Sequence, residues 1–373
     1  MTDFTFQTTP NLRSAAGATE EMGTLFAAMG VRRVGFVTDP GIQALGLADP
    51  ALASLRAAGL SVEIVDDVVA DPPEALVLSA VERLRGVDGI ASVGGGSSLD
   101  VAKLCAVLLA GKQQIGEIYG VGNISGERLP LILAPTTAGT GSEVTPISII
   151  TTGEAQKMGV VSPQLLPDWA LLDAALTLSL PREVTAATGV DAMVHAVEAY
   201  TSAHRKNPVS DALAREALRL LGANIERACE APDDLAARQA MLLGSALAGM
   251  AFANAPVAAV HALAYPLGGH FHVPHGLSNC LVLPHVLEFN MGAAAAMYAE
   301  LAPIAFPGAP DLVAGFRALA LRIGLKTRLA EVGVGHNHLP MLAEDAMKQT
   351  RLLVNNPREV TYDDALAIYS AAL

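Results

Sequence analysis

The sequence predicts an α/β half built on a parallel sheet, followed by an all-α half. Short runs rich in β-branched residues alternate with helical runs in the first half, which is the order that produces a parallel sheet covered by helices. A glycine triplet at positions 94–96 directly follows one of these strand-like runs. From Pro181 onward the strand signals fade, and long Ala- and Leu-rich segments are interrupted by Gly or Pro at helix ends. We therefore expect two domains, residues 1–180 and residues 181–373.

The elements of the first half can be placed in order along the chain. Strands are expected at 31–38, 61–65, 89–93 and 131–134, and helices at 51–58, 74–85 and about 99–110. The last of these helices is apolar on nearly every side, so we expect it inside the core. Pro181 followed by Glu183 predicts the start of the first helix of the second half, because proline suits the first helical position and an acid suits the first turn.

Composition and charge disfavour several functional classes. The 373 residues are 51% hydrophobic and 16% charged, which allows a large buried core and is unlike a disordered chain. The net charge of −13 would repel a phosphate backbone, so nucleic-acid binding is disfavoured. The N-terminus has no basic segment followed by an apolar core, and no apolar stretch of membrane-spanning length lacks helix breakers or charges. With Cys105 and Cys280 expected as buried free thiols, we predict a cytoplasmic protein.

Two polar loops follow predicted strands and suit a nucleotide. The glycine triplet lets the backbone turn tightly and aim free N–H groups at an anion such as a pyrophosphate, although a structural glycine turn is the alternative. The loop at 135–145 is rich in hydroxyls that could bond phosphate, ribose or nicotinamide amide groups. Asp39 at the end of the first strand could accept hydrogen bonds from the adenosine ribose and repel a 2′-phosphate, which favours NAD over NADP. Alternatively, the segment around Asp39 forms only a turn and binds no nucleotide.

A second set of residues suits a divalent metal ion. Asp191 and His195 are four residues apart on a predicted helix, so both side chains emerge on one face. His261 and His275 can complete a shell of one carboxylate and three imidazoles, which suits Fe2+ and Zn2+ about equally. The alternative for each residue taken alone is a local cap or a core histidine. Glu198 in the same helix could pair with a cation or accept a hydrogen bond from a metal ligand, but a solvated or helix-stabilising role is favoured.

Four motifs taken together resemble one protein family. They are Gly-Gly-Gly-Ser-Ser-Leu-Asp-Val-Ala-Lys at 94–103, the loop at 135–145, Gly-Val-Asp-Ala at 189–192 and Pro-His-Gly at 274–276. In this order they resemble the iron-containing (group III) alcohol dehydrogenases over about residues 31–290. The resemblance implies a dehydroquinate synthase-like fold, in which an N-terminal Rossmann-like domain binds NAD(P) and a helical C-terminal domain binds a divalent metal, usually iron.

The resemblance also implies roles for individual residues. The metal ligands are Asp191, His195, His261 and His275. The cofactor contacts are Asp39, Asp71, Gly95, Gly96, Ser97, Asp100, Thr136, Thr137, Thr140, Thr145, Lys157 and Leu176.

The proton relay is left open by the resemblance. Relatives often carry a histidine, viewed as a possible relay group, at the position of Tyr265 in this chain. The Tyr265 hydroxyl could substitute for it, or His270 or His272 could. Plain packing beside Pro266 explains Tyr265 equally well, and surface exposure is the better explanation of the two histidines.

The predicted activity is a metal-dependent, NAD-linked alcohol dehydrogenase or aldehyde reductase acting on a small primary alcohol. Alternatives on the same fold are a hydroxyacid-oxoacid transhydrogenase, a polyol dehydrogenase and a maleylacetate reductase, the last disfavoured by the presence of Asp191. A dehydroquinate synthase-like lyase is disfavoured because the helical half is poor in clustered Lys and Arg, and a non-catalytic regulator because the ligand set is complete. We also expect a homo-oligomer, in which an edge strand at residues 4–8 could pair between chains.

Overall fold

The chain divides into a sheet unit and a helical unit, and a computed structural model describes residues 3–153 and 156–373. The sheet unit comprises residues 7–137 and 141–178. The helical unit comprises residues 179–373 together with the short segments 3–6 and 138–140. The predicted parallel sheet of the first half and the predicted all-α second half are confirmed.

Parallel strands form the main sheet of the sheet unit. The strands of this unit are β1 (Asn11–Ser14), β2 (Arg33–Val37), β3 (Ser61–Val65), β4 (Gly89–Gly94), β5 (Gly120–Val121), β6 (Leu131–Pro135), β7 (Ile147–Thr152), β8 (Gln156–Val161) and β9 (Trp169–Leu172). Six of them pair in the order β1-β9-β6-β4-β2-β3, and these pairings are parallel. The four strands predicted from the sequence are β2, β3, β4 and β6, which lie side by side in this sheet.

Helices cover both faces of this sheet. They are α1 (Met22–Ala28), α2 (Pro40–Ala44), α3 (Asp49–Ala57), α4 (Glu74–Arg83), α5 (Gly96–Ala110) and α6 (Ile115–Ile118). Side chains of β4 alternate between the two faces: Ile90 belongs to the core formed with α4 and α5, whereas Val93 belongs to the core formed with α1 and α3. Most of α5 is buried, as its apolar character on nearly every side predicts.

Several strands escape the sequence prediction. Antiparallel strands β7 and β8 form a hairpin, and the two-residue β5 pairs with β8 in a separate small sheet. At the N-terminus, residues 4–8 form no strand within the chain; the first strand begins at Asn11 and pairs with β9. The run of β5 is too short to show a periodicity, and the partner of β1 is distant in the sequence, whereas β7 and β8 are neighbouring six-residue strands that the sequence analysis did not identify.

The strand order reverses between β2 and β4. From β2 the chain runs outward to β3 and then crosses back to β4 on the other side of β2. Ligands of open parallel sheets bind beyond the carboxyl ends of the strands at such a reversal. The segments found there are Thr38-Asp39 after β2 and the glycine triplet after β4, and the loop that follows β6 is next to them in the sheet.

Helices account for the regular structure of the second half. They are α7 (Arg182–Thr201), α8 (Pro208–Glu230), α9 (Leu235–Asn254), α10 (Ala259–Phe271), α11 (His275–Ala305), α12 (Leu312–Ile323), α13 (Leu339–Met347), α14 (Thr350–Leu353) and α15 (Tyr362–Ala372). The second half of α7 is buried on every side, from Gly189 to Thr201. Helices α9 and α11 are long and apolar enough to cross a membrane by length and composition, a criterion that core helices of soluble proteins also meet.

Candidate functional site

Four side chains of the helical unit converge on one point. One ligand atom from each of Asp191, His195, His261 and His275 lies within 4.8 Å of the others. Asp191 Oδ1 is 3.6 Å from Nε2 of His275 and 3.9 Å from Nε2 of His261. Two ligands of one ion, each about 2.0–2.2 Å from it, are separated by roughly these distances in a tetrahedral or more open shell. The donor set and its spacing therefore fit a divalent transition-metal ion.

Three helices supply these ligands. Asp191 and His195 are one turn apart on α7, His261 lies on α10, and His275 is the first residue of α11. The next residue, Gly276, explains how α11 reaches α7. A Cβ atom at that position would lie 2.2 Å from the backbone oxygen of Ala187, so only glycine permits this close approach.

Hydrogen bonds behind two of the imidazoles orient them. His195 donates from Nδ1 to the carbonyl oxygen of Gly139 at 3.2 Å, and His261 donates from Nδ1 to Glu198 Oε2 at 2.6 Å. Glu198 Oε1 also accepts from the backbone N–H of Val260 at 2.7 Å. Donation from Nδ1 leaves Nε2 with its lone pair free to bind a metal. The favoured expectation that Glu198 is solvated is wrong: its side chain is buried and accepts a hydrogen bond from His261, in agreement with the alternative of an acceptor role.

The charges of the site suit a cation. Burial acts to raise the pKa of Asp191, but the three imidazoles and the amide of Asn279 outweigh it and hold that pKa below its usual range. Burial lowers the pKa of His195 to about 3 despite the nearby carboxylate, so this imidazole stays neutral. Burial also acts to lower the pKa of His261, but the hydrogen bond to Glu198 raises it above the usual value. An ionised carboxylate beside a neutral imidazole is the state in which both bind metals.

Aromatic rings form a stack along the site. Phe252 of α9 lies face to face with His195 at a centroid distance of 4.3 Å, and His195 stacks on His261 at 4.7 Å. At the other end, the ring of Tyr265 is 5.9 Å from that of His275. Tyr265 is thus beside the cluster, and burial raises the pKa of its hydroxyl, which keeps the proton near neutral pH.

The two other relay candidates lie outside the cluster. His270 is exposed near the end of α10, where its Nε2 pairs with Asp345. His272 is exposed, and it ends the same helix in the left-handed conformation with φ 53°. Neither histidine belongs to the group of converging ligand atoms.

In the sheet unit, the glycine triplet forms the start of α5. A Cβ atom on Gly94 would lie 2.5 Å from Cβ of Ser98, whereas one on Gly95 would meet nothing within 4 Å. No side chain caps α5 within the part of the chain that the structure describes, so the N–H groups of its first turn, at Gly96, Ser97 and Ser98, can face an anion. Gly94 is therefore required by packing, whereas the space beside Gly95 is open.

Asp39 lies at the same end of the sheet. Its Oδ1 caps α2 by accepting from the N–H of Ile42 at 3.0 Å, and its Oδ2 accepts from the Ser98 hydroxyl at 3.4 Å. Asp39 can therefore act both as a turn residue and as a nucleotide-binding residue. One of its oxygens caps α2, while the other faces the first turn of α5.

The loop after β6 is tied to α5 by buried polar contacts. Asp100 accepts from the Ser142 hydroxyl at 2.6 Å and from the N–H of Ile149 at 2.8 Å. The buried Lys103 donates to Ser142 Oγ at 2.7 Å and to Thr145 Oγ1 at 3.4 Å. Both oxygens of Asp100 are thus engaged inside the protein. Asp100 and Thr145 hold the loop in place, a role that the cofactor prediction did not include.

The remaining predicted cofactor contacts lie in different parts of the structure. Thr136 is buried and Thr137 half-buried at the end of β6, while Thr140 lies in the segment 138–140 of the helical unit. Asp71 and Lys157 form an ion pair at the hairpin of β7 and β8. The side chain of Leu176 is packed in the core on the α1 and α3 face of the sheet.

Two buried polar groups lie beside the cluster: the sequence analysis named Glu198 but favoured another role for it, and it did not identify Asn279. Glu198 is three residues after His195 on α7, and Asn279 is four residues after His275 on α11. Helical spacing places each on the face of the ligand before it, and this signal could have identified both. Asn279 donates from Nδ2 to Asp191 Oδ1 at 2.6 Å.

Comparison with known proteins gives matches along the whole chain. Residues 9–174 match the family model for iron-containing alcohol dehydrogenase, and residues 185–373 match the model for the C-terminal part of the Fe-containing alcohol dehydrogenase family. Long-chain-alcohol dehydrogenase 1 of Geobacillus thermodenitrificans is 39% identical over 370 residues, which cover 95% of this chain and 93% of that protein.

Solved structures agree with these matches. The crystal structure of a 1,3-propanediol oxidoreductase superposes with a TM-score of 0.95 at 34% identity and covers 100% of both chains. A sulfoacetaldehyde reductase from Bifidobacterium kashiwanohense in complex with NAD+ superposes with a TM-score of 0.91 at 28% identity, covering 100% of this chain and 99% of that one.

Proposed function

The chain belongs to the iron-containing alcohol dehydrogenase family, and from this premise we propose which residues carry its activity. It is a metal-dependent, NAD-linked oxidoreductase that acts on CH–OH groups. We propose that Asp191, His195, His261 and His275 hold the ion. The observation that carries the proposal is the convergence of their ligand atoms within 4.8 Å. We propose Fe2+ as the ion, and the same donors would accept Zn2+.

The metal ligands have distinct tasks in this proposal. A bound divalent ion supplies Lewis acidity, which stabilises an alkoxide in one direction and polarises a carbonyl in the other. Asp191 contributes the negative charge of the site, while Gly139 and Glu198 hold the His195 and His261 rings with Nε2 facing the cluster. His275 is the exposed member, with 43% of its side chain accessible, so we propose that substrate approaches on its side.

We propose that the loops at the carboxyl ends of β2, β4 and β6 bind NAD. Backbone N–H groups at Gly95, Gly96 and Ser97 would hold the pyrophosphate at the N-terminus of α5. The carboxylate of Asp39 would accept hydrogen bonds from the adenosine ribose and repel a 2′-phosphate. The further cofactor contacts that we propose are Thr136, Thr137, Thr140, Thr145, Asp100, Asp71, Lys157 and Leu176.

The substrate that we propose is a small primary alcohol or its aldehyde. Both 1,3-propanediol and sulfoacetaldehyde, named for two of the matched structures, present the reacting carbon at a chain end. We propose that Tyr265 relays the proton of the substrate hydroxyl. Its ring is 5.9 Å from that of His275, and its own hydroxyl stays protonated near neutral pH. The transhydrogenase, polyol dehydrogenase and maleylacetate reductase alternatives are not favoured by the matched relatives.

We also propose a cytoplasmic homo-oligomer that binds neither nucleic acid nor membrane. The net charge of −13 supports the absence of a nucleic-acid partner, because an acidic surface repels phosphates. Size-exclusion chromatography with light scattering measures the oligomeric state.

Metal loading combined with an NADH-consumption screen tests the proposal. Protein loaded separately with Fe2+, with Zn2+ and with no metal is assayed over short aldehydes and keto acids. We expect NADH oxidation with aldehydes only in the metal-loaded samples. His275→Ala should lose both bound metal and activity, whereas His270→Ala, which changes an exposed histidine outside the cluster, should lose neither. Full metal content and activity in His275→Ala would refute the ligand assignment.

The proton relay has its own test. Tyr265→Phe keeps the ring and removes the hydroxyl, so metal content should stay unchanged while kcat falls by about a hundredfold, the contribution typical of a positioned acid–base group. The fall should come with a changed pH profile of kcat. Wild-type kcat in this variant would show that Tyr265 only packs beside the cluster.

A further inference from the structure

One buried amide lies against the proposed metal ligands. Asn279 is one turn after His275 on α11, and its side chain is 0% exposed. Its Nδ2 is 2.6 Å from Asp191 Oδ1, 3.3 Å from Nε2 of His261 and 3.4 Å from Nε2 of His275. A single nitrogen atom therefore contacts the ligand atoms of three of the four proposed ligands.

The two ends of this amide have different surroundings. Asn279 Oδ1 is buried and has no hydrogen-bond partner among the described residues, whereas Nδ2 has three acceptors within reach. A reversed amide would place a carbonyl oxygen 2.6 Å from the Asp191 carboxylate, where two acceptors repel each other. The side chain is thus held through its nitrogen. Because a buried carbonyl without a partner is destabilising, the asparagine is explained by what its nitrogen contacts.

We propose that Asn279 is a positioning residue of the metal site, an inference that rests on the proposed metal ligands. An amide nitrogen carries two hydrogens, so it cannot serve three acceptors at once. The bond to Asp191 Oδ1 is the shortest of the three and the one with a charged acceptor, which makes it the strongest. An ion takes the lone pairs of the imidazoles but leaves the carboxylate oxygen a further lone pair.

The consequence is a fixed carboxylate. Asp191 makes up the single negative charge of the ligand set, and its Oδ1 is the atom that lies 3.6 and 3.9 Å from two imidazole nitrogens. The N–H of Asn279 keeps this oxygen in place, so the protein need not order the carboxylate when the ion arrives. Pre-ordering of a ligand by a hydrogen bond of this kind raises metal affinity.

Zinc affinity, measured by competition with a chelator, tests the inference on the full chain. Asn279→Leu keeps the number of side-chain heavy atoms and removes both the donor and the unpartnered carbonyl. We expect zinc binding about ten- to a hundredfold weaker than in the wild-type chain, the range typical of lost outer-shell partners. We also expect a changed visible absorption spectrum of the Co2+-loaded variant. Its unfolding temperature in excess chelator should be lowered, because the buried carboxylate of Asp191 loses its strongest hydrogen bond, so zinc affinity and the Co2+ spectrum are the readouts that test positioning.

A second variant removes the amide without adding bulk or charge. Asn279→Ala lacks the donor to Asp191, and its zinc affinity should fall as it does in Asn279→Leu. If instead Asn279→Ala binds zinc as tightly as the wild-type chain, the inference is wrong.

The matched control is Asn290→Leu on the same helix. Asn290 is buried and exchanges two amide hydrogen bonds with Asn356, at 3.0 and 2.7 Å. This variant should unfold at a lower temperature but bind zinc normally. Wild-type zinc affinity in Asn279→Leu would overturn the inference and leave the proposed function intact, whereas a wild-type chain that binds no metal would overturn the proposed function itself.

Discussion

Glu198 accepts a hydrogen bond from Nδ1 of His261 at 2.6 Å, and both side chains are buried. The other oxygen of the same carboxylate accepts from the N–H of Val260 at 2.7 Å, so the carboxylate is itself fixed. The imidazole is held from behind, and its Nε2 lies 3.9 Å from Asp191 Oδ1. Carboxylate–histidine pairs of this kind set the tautomer of a metal ligand and increase its basicity.

Removal of this carboxylate should weaken metal binding. Glu198→Leu leaves Nδ1 of His261 without its acceptor, and we expect zinc affinity to fall about ten- to a hundredfold. Glu198→Gln keeps an acceptor oxygen and should lose less. Chelator competition measures both affinities, and Glu226→Gln, which changes an exposed acid paired with Arg322, is the control expected to match the wild-type chain. Equal zinc affinity in Glu198→Leu and the wild-type chain would contradict this role.

Substitutions of two adjacent glycines should affect different properties: one should lower the stability of the fold and the other the affinity for NADH. Gly94→Ala brings a methyl group 2.5 Å from Cβ of Ser98, so the turn must shift and the unfolding temperature should fall. Gly95→Ala meets nothing within 4 Å and has φ −72°, ψ 178°, which alanine adopts readily. Its stability should stay unchanged, while its Kd for NADH rises about tenfold or more, because the methyl group enters the space proposed for the pyrophosphate. Fluorescence titration and thermal unfolding of both variants give these values; normal NADH binding by Gly95→Ala would argue against the pyrophosphate site.

Asparagine at position 39 should relax the choice of cofactor. Asp39 caps α2 through its side chain, and asparagine caps a helix equally well, so Asp39→Asn should fold normally. The variant loses the negative charge that would repel a 2′-phosphate. We expect the ratio of kcat/KM for NADH to that for NADPH to fall about tenfold. A ratio equal to that of the wild-type chain would favour the interpretation of Asp39 as a plain turn residue.

Glu143 should make the stability of the chain depend on pH. Its carboxylate is buried, neither oxygen has a hydrogen-bond partner in another described residue, and burial raises its pKa from 4.5 to about 7 despite the charge of Lys103. The folded chain therefore keeps a proton that the unfolded chain releases between these two values, and the free energy of unfolding falls as the pH rises from about 4.5 to about 7. The loss is on the order of 3 kcal/mol when it is complete.

Glu143→Gln does not titrate and should remove this loss. Relative to the wild-type chain, the variant should gain stability at pH 8 and show little difference at pH 4.5. Urea denaturation at the two pH values measures the change, and Glu127→Gln, in an exposed loop of the same unit, serves as the control. A stability difference between Glu143→Gln and the wild-type chain that is the same at both pH values would show that the carboxylate does not titrate in this range.

Much of the sheet unit could be predicted from the sequence, because its signals are local. Short strand-like runs predicted β2, β3, β4 and β6 closely, and the apolar character of residues 99–110 predicted a core helix. The hairpin of β7 and β8 and the pairing of β1 with β9 were missed. The register of β1 joins Asn11 to Trp169, a separation that no local pattern reports.

The sequence by itself determined which residues share a helix face, and so it placed Asp191 with His195 and predicted that two distant histidines could complete the set. Only the tertiary structure decided what surrounds them. Glu198 and His261 are 63 residues apart, and Asn279 and Asp191 are 88 apart, yet both pairs are hydrogen-bonded and buried. Helical spacing is a property of a few consecutive residues, whereas burial and long-range hydrogen bonds arise only when whole helices pack against one another.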